Sequence, residues 1–175
     1  MVEFVRLTPE FAFGPQVAAG DFATLRAAGF ASVLNARPDD ETGPYLLSTE
    51  AGVLARAQGL GYDHAPTDNH AIFEPEVIDR FEQALARLPR PIFAHCKSGT
   101  RASILWALVA ARYRAVEDVI EMLRAAGQEL EFLEDEMRES AAHRRQSPFQ
   151  LRDDPLLGLG RSSLMDGDEP EGGRR

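Results

Sequence analysis

The sequence predicts an α/β fold of three layers, a small, mostly parallel sheet between two layers of helices. Short apolar runs alternate with segments whose apolar residues recur at helical spacing, the pattern of repeated strand and helix units. One such unit, residues 91–111, passes from strand through loop to helix without interruption. A length of 175 residues with 44% hydrophobic content suffices for one domain with a sizeable core. That domain is assigned to residues 1–146, including C-terminal helices, and residues 147–175 are expected to form a disordered tail.

In chain order, Phe4-Val5-Arg6-Leu7 alternates apolar and polar and predicts an edge strand, with Pro9 and Gly14-Pro15 as punctuation. Gln16-Val17 is assigned to a second short strand. Asp21 is positioned to cap a helix carrying Phe22, Leu25 and Ala28 on one face, which Gly29 stops. Phe30 to Leu34 reads as the next strand, and Asn35 to Glu41 leaves it as a polar loop at the edge where α/β proteins place ligands. Within it, Arg37 is in range of an anion bound at that edge and Asn35 ties the loop down. Ordinary turn chemistry is the competing account of Pro38-Asp39-Asp40.

Leu47, Ala51, Leu54 and Ala55 share a face of a helix over 48–58, and Tyr62 to Ala65 forms the strand after it. Pro66-Thr67-Asp68-Asn69-His70 has the periodicity of neither element and is a loop. Glu74-Pro75-Glu76 opens a helix, with Pro in the permitted first turn and acids favouring the dipole; its stripe is Val77, Ile78, Phe81, Leu85 and Leu88. Val116, Val119, Ile120 and Leu123 mark a helix over 115–126, and Leu130, Leu133 and Met137 another. From Ser147 the chain turns to Pro, Gly, Asp and Arg and loses periodicity, so order is expected to end by about Pro155.

The chemistry concentrates in His95-Cys96-Lys97-Ser98-Gly99-Thr100-Arg101, between the apolar strand Ile92 to Ala94 and a helix bearing Leu105, Trp106, Leu108 and Val109. The first turn of a helix presents unpaired N–H groups and partial positive charge to an anion. A thiol placed there beside a guanidinium ionises more readily than a free one, and the thiolate is the nucleophile. Gly99 permits a positive φ that turns successive amides inward, and Arg101 adds a planar, two-pronged donor. A nucleophile beside such a cradle suits attack on phosphorus or sulfur, whereas a lone buried Cys is otherwise an inert packing residue.

His95-Cys96 followed by Arg101 resembles the signature of the cysteine-dependent phosphatases of the tyrosine and dual-specificity superfamily, with four intervening residues in place of five. The shortened loop, together with Thr8 to Gln16, Ala28-Gly29-Phe30, Asn35 to Glu41 and Tyr62 to Pro66, resembles more narrowly the beta-lactamase hydrolase-like protein, phosphatase-like domain family, some members of which are labelled sulfurtransferases. That resemblance spans about two-thirds of the chain. It implies a cysteine-phosphatase-like fold and a phosphocysteine intermediate on Cys96. Lys97, Ser98, Gly99, Thr100 and Arg101 would bind oxyanions, with His95, Ser103 and Arg37 in support and no cofactor. Ala102 stands where the superfamily commonly has a hydroxyl residue.

Departure of an alkoxide needs a proton, so an acid from another loop is required. Asp68 is the first choice because it follows a strand one helix upstream of the Cys, as the acid does in the superfamily; Asp63, Asp39 and Asp40 are the others. The Arg-x-Ser ending also resembles a rhodanese loop carrying a persulfide, although the chain lacks the Asp-Val-Arg and Gly-His-Ile-x-Gly-Ala stretches that accompany it. A non-catalytic oxyanion-binding module is the third reading.

A net charge of −9 argues against nucleic acid or an anionic membrane as partner; the partner that the resemblance implies is a phosphate ester, on a small molecule or a protein, or a sulfur donor. No apolar run approaches ~18 residues. One Cys excludes an internal disulfide, and the opening Met-Val-Glu-Phe-Val-Arg has no apolar signal core, so a reducing cytoplasm is expected. His64, His70 and His95 with Asp63, Asp68 and Cys96 have no paired metal-ligand spacing, and no metal is expected.

Overall fold

The computed structural model describes residues 2–143 and 155–158. Its five strands lie in the order β1-β2-β5-β3-β4. The edge strand β1 (Val5–Thr8) pairs antiparallel with β2 (Phe11–Gly14). Parallel ladders then join β2 to β5 (Ile92–His95), β5 to β3 (Ser32–Asn35) and β3 to β4 (Gly61–His64). Three parallel ladders out of four make the sheet mostly parallel, as the alternating pattern predicts. With β5 in the middle, whatever follows His95 emerges at the centre of the sheet's C-terminal edge.

Helices cover both faces. On one side α1 (Asp21–Ala27) and α2 (Ser48–Ala57) enclose a core of Phe22, Leu25, Phe30, Val33, Ala51 and Phe93. On the other, α3 (Pro75–Arg87), α4 (Thr100–Ala111), α5 (Val116–Ala125) and α6 (Glu134–Ala142) enclose a larger one around Phe81, Leu85, Trp106 and Met137. The stripe expected on α3 is the buried one, Val77, Ile78, Phe81 and Leu85. Helix α4 is buried nearly all round, from Arg101 to Ala111 with Ile104 alone half-exposed, so it shows no amphipathic stripe.

Three sequence expectations are corrected. The second strand is Phe11–Gly14 and not Gln16-Val17. Phe11 and Phe13 enter one core and Ala12 the other, and a strand buried on both faces lacks the alternation that marks a half-buried one. Asp21 lies in the first turn of α1 rather than capping it, since its carboxylate accepts from the Ala18 N–H at 2.8 Å and closes the preceding turn. Ala28 falls past the helix end and is exposed.

The third concerns the expected tail, of which residues 147–154 and 159–175 lie outside the described residues. Residues 155–158 are placed against the domain, with Leu156 and Leu157 fully buried. The Leu156 carbonyl accepts from Thr8 Oγ1 at 3.1 Å and Trp106 Nε1 at 3.2 Å, and the Gly158 carbonyl accepts from Arg114 at 2.5 Å. Two leucines in a Pro- and Gly-rich setting carry no periodicity; they join the larger core with Trp106 through groups distant in sequence. Leu157→Ala is expected to cost about 2–5 kcal/mol in denaturant unfolding, against less than about 0.5 for Val53→Ala on the exposed face of α2. Equal losses would show that 155–158 does not pack as described.

Candidate active site

β5 ends at His95, and Cys96 to Gly99 turn the chain into α4. Gly99 caps that helix at φ +97°, and a Cβ there would lie 3.0 Å from the Gly14 carbonyl oxygen and 3.2 Å from the Phe13 ring. The end of β2 therefore leaves room only for glycine. The loop is pinned from both sides, by the Gln16 N–H on the Lys97 carbonyl (3.1 Å) and the Ala36 N–H on the His95 carbonyl (2.8 Å).

Cys96 is 1% exposed, and its Sγ accepts from the Gly99 N–H at 3.2 Å, so the sulfur lies beneath its own loop at the N-terminus of α4. Lys97, Ser98 and Thr100 form the exposed rim, with the Ser98 and Thr100 hydroxyls 3.1 Å apart. The Ser103 hydroxyl is directed to the Thr100 carbonyl at 2.8 Å, one turn back along the helix.

Arg101 is buried in the first turn of α4 and ties three loops together. Its Nη1 donates to the Thr67 carbonyl at 2.7 Å, and the guanidinium pairs in two-pronged fashion with Glu41, at 2.5 Å through Nη1 and 3.0 Å through Nη2. Burial works against the charged guanidinium, but the bond to Glu41 and the neighbouring Cys96 and Glu41 outweigh it and raise its pKa. The Arg101 hydrogen bond, against a smaller opposing effect of burial, holds the Glu41 carboxyl below its ordinary value, with Arg37 adding to it.

Arg37 does not reach the Cys96 loop directly. Its Nε bonds Glu41 at 2.9 Å, its Nη1 reaches Gln16 and its Nη2 the Thr42 carbonyl, and its guanidinium stacks 3.7 Å over Tyr45. Glu41 thus bridges the two arginines. No local pattern in the sequence marks this carboxylate. The available signal was chemical, since a buried guanidinium demands a carboxylate, but Asp39, Asp40 and Glu41 were equal candidates for it. Asn35 does tie the loop down: its Oδ1 accepts from the Arg37 N–H at 2.8 Å and its Nδ2 donates to the Tyr62 hydroxyl at 3.0 Å. Burial foremost raises that hydroxyl's pKa to about 12.

The acids separate by their partners. Asp39 binds the N–H (2.8 Å) and hydroxyl (2.5 Å) of Ser48 at the start of α2. Asp63 pairs with Arg87 at 2.6 Å and accepts from the His64 N–H. Asp40 is exposed on the β3 loop. Asp68 is exposed in the β4 loop, next in sequence to Thr67, whose carbonyl Arg101 holds. His64 Nε2 lies 2.8 Å from the Arg37 carbonyl oxygen, and His70 is exposed.

His95 is fully buried and stacked on Phe93, with Nδ1 donating to the Cys96 carbonyl at 3.3 Å and Nε2 without a partner. Burial is the main cause that lowers its pKa to about 4, so the ring is neutral.

A family model for "Beta-lactamase hydrolase-like protein, phosphatase-like domain" matches residues 3–113. The chain belongs to that family. A beta-lactamase hydrolase-like protein from Agrobacterium fabrum is 38% identical over 104 residues, which are 59% of this chain and 24% of the relative. The chain thus spans about a quarter of that curated relative's length. Among solved structures, a candidate phosphatase from Neisseria meningitidis is 25% identical over 78% of this chain and 96% of its own, with a TM-score of 0.66. The core catalytic domain of the PP-IP phosphatase SIW14 from S. cerevisiae matches at 16% identity and a TM-score of 0.52, over 84% of this chain and 95% of that one. At that identity the likeness concerns the fold alone, and the fold is that of the cysteine phosphatases. The matched region of the phosphatase-like domain holds Glu41, Asp68 and the whole Cys96 to Arg101 loop, while α5, α6 and the turn between them fall outside it.

Two outcomes are expected. Gly99→Ala costs about 1–2 kcal/mol from the left-handed backbone, before any clash with Gly14, and weakens phosphate binding in calorimetry; a neutral substitution would mean that the loop tolerates another shape. His95 has a lower pKa folded than unfolded, so the unfolded chain takes up the proton first. Its stabilising effect is complete above its ordinary value near 6.5 and is lost as pH falls towards about 4, on the order of 3 kcal/mol in total. Urea unfolding of wild type and His95→Gln at pH 7.5 and pH 4.5 checks this, and the variant loses less stability between the two.

Proposed function

We propose that the domain is a cysteine-dependent hydrolase of phosphate monoesters. The observation that carries this reading is Cys96 Sγ held beneath the Gly99 amide at the N-terminus of α4, with the Arg101 guanidinium in the same turn. Amides of residues 97–101 and Arg101 bind the non-bridging phosphate oxygens and stabilise charge spread over them during transfer. Glu41 and the Thr67 carbonyl fix the guanidinium, so its orientation costs little when substrate arrives.

Cys96 Sγ attacks phosphorus, the S–P bond forms, and the bond from phosphorus to the leaving oxygen breaks. Asp68 donates its proton to that oxygen. Water, deprotonated by the same carboxylate, then attacks the phosphocysteine, releasing inorganic phosphate and returning the thiolate. Asp68 is favoured over Asp63 and Asp39 because those two are bound to Arg87 and to Ser48. It is favoured over Asp40 because Arg101 anchors the residue beside it. The substrate is a phosphate ester on a small molecule or protein; an acidic chain of net charge −9 is a poor partner for nucleic acid or anionic membrane. Among the described residues no helix is long and apolar enough to cross a membrane, and a lone thiol nucleophile fits a reducing cytoplasm.

Cys96→Ser is expected to abolish release of phosphate from an aryl phosphate. Asp68→Asn lowers kcat by about 10²-fold or more on esters with poor leaving groups and much less on esters with good ones. An equal effect on both would sink the acid assignment. Thiocyanate formation from thiosulfate and cyanide, without phosphate release, would replace this reading by sulfur transfer through a persulfide on Cys96.

A further inference from the structure

Among the described residues five large apolar side chains are exposed, and two of them, Phe73 (44%) and Phe132 (73%), line one cleft. Its lining joins the rim of the Cys96 loop, from Lys97 to Arg101, to Ile72 and Phe73 and to Ile104, Phe132 and Leu133. The volume is ≈ 330 Å³, at the small end of the range for ligand sites, about 300–1,000 Å³.

Single exposed apolar residues are ordinary, but these two aromatics converge from segments far apart in sequence. Phe132 sits in the 3-10 turn Glu131–Leu133 before α6, where Leu130 and Leu133 are buried and supply the turn's packing. Its ring is left out of the core and faces the cleft instead.

In-line attack by Cys96 expels the leaving group on the side of phosphorus away from the sulfur, outward past the rim. With the phosphoryl oxygens on the loop amides, the ester oxygen and whatever it carries enter the cleft that begins at Lys97 and Arg101. We infer that Phe73 and Phe132 are specificity-determining residues that select phosphate monoesters whose leaving group carries an apolar body, aryl or alkyl, against polar ones. This rests on the phosphatase reading above and adds to it the residues that choose the substrate. Phe132 and Leu133 lie beyond the family match, which ends at 113.

Calorimetry on the full-length Cys96→Ser variant tests it, with inorganic phosphate, methylphosphonate, naphthylmethylphosphonate and octylphosphonate as probes. The expected result is that one or both apolar phosphonates bind about tenfold or more tightly than methylphosphonate, the larger gain telling whether aryl or alkyl is preferred. Adding Phe132→Ala, a substitution at an exposed position, should weaken the apolar probes about fivefold more than it weakens inorganic phosphate. Equal affinity for all four probes overturns the inference and leaves the phosphatase reading intact. Failure of any probe to bind, inorganic phosphate included, overturns both. A dimer in sedimentation that Phe132→Ala dissociates, with no gain for the apolar probes, would give the face to a second copy of the chain and overturn the inference.

Discussion

A guanidinium can be buried only beside a counter-charge, and the organisation of the C-terminal edge follows from how Arg101 meets that requirement. Stripping an ion of water costs several kcal/mol unless an opposite charge and hydrogen bonds replace the solvent. Glu41 from the loop after β3 supplies the charge, and the Thr67 carbonyl from the loop after β4 supplies a further acceptor. Because Arg101 itself follows β5, one side chain joins the loops of three neighbouring parallel strands. The same carboxylate holds Arg37, which carries the tie on to Gln16 and the start of the chain.

That clamp has a consequence for chemistry. An arginine already fixed by protein groups need not be ordered when an oxyanion arrives, and the loss of rotamer freedom that a long side chain suffers on binding is met during folding. It also places the β4 loop, through Thr67, next to the Cys96 loop. Tight backbone packing completes the arrangement: β2 approaches so closely at Gly14 that a Cβ at residue 99 would lie 3.0 Å from the Gly14 carbonyl oxygen. The cradle is therefore shaped as much by the strand beside it as by its own sequence.

The part matched by the beta-lactamase hydrolase-like family model and the part beyond it contribute differently to the structure. Residues 3–113 contain the sheet, the thiol and the arginine clamp. Beyond them, α5 and α6 close the larger core, and the 3-10 turn between them raises the outer wall of the cleft beside the loop. Such a division lets the binding surface vary while the reacting groups keep their frame.

By itself the sequence determined the elements that local physics dictates. The stripe of α3 and the strand into His95 are written in short-range periodicity, and a Cys, a Gly and an Arg at the start of a helix mark the loop in the sequence. It offered four aspartates, Asp68, Asp63, Asp39 and Asp40, as candidates for an acid. Tertiary structure alone decided which carboxylate serves Arg101, since Asp39, Asp40 and Glu41 look alike until α2 draws Asp39 to Ser48. It likewise decided that Phe11 to Gly14 is a strand, because burial on both faces erases alternation, and that Leu156 and Leu157 are core, because Thr8 and Trp106, which hold the Leu156 carbonyl, are distant in sequence. Pairings between distant segments depend on shape and counter-charge brought together by folding, and no local pattern records them.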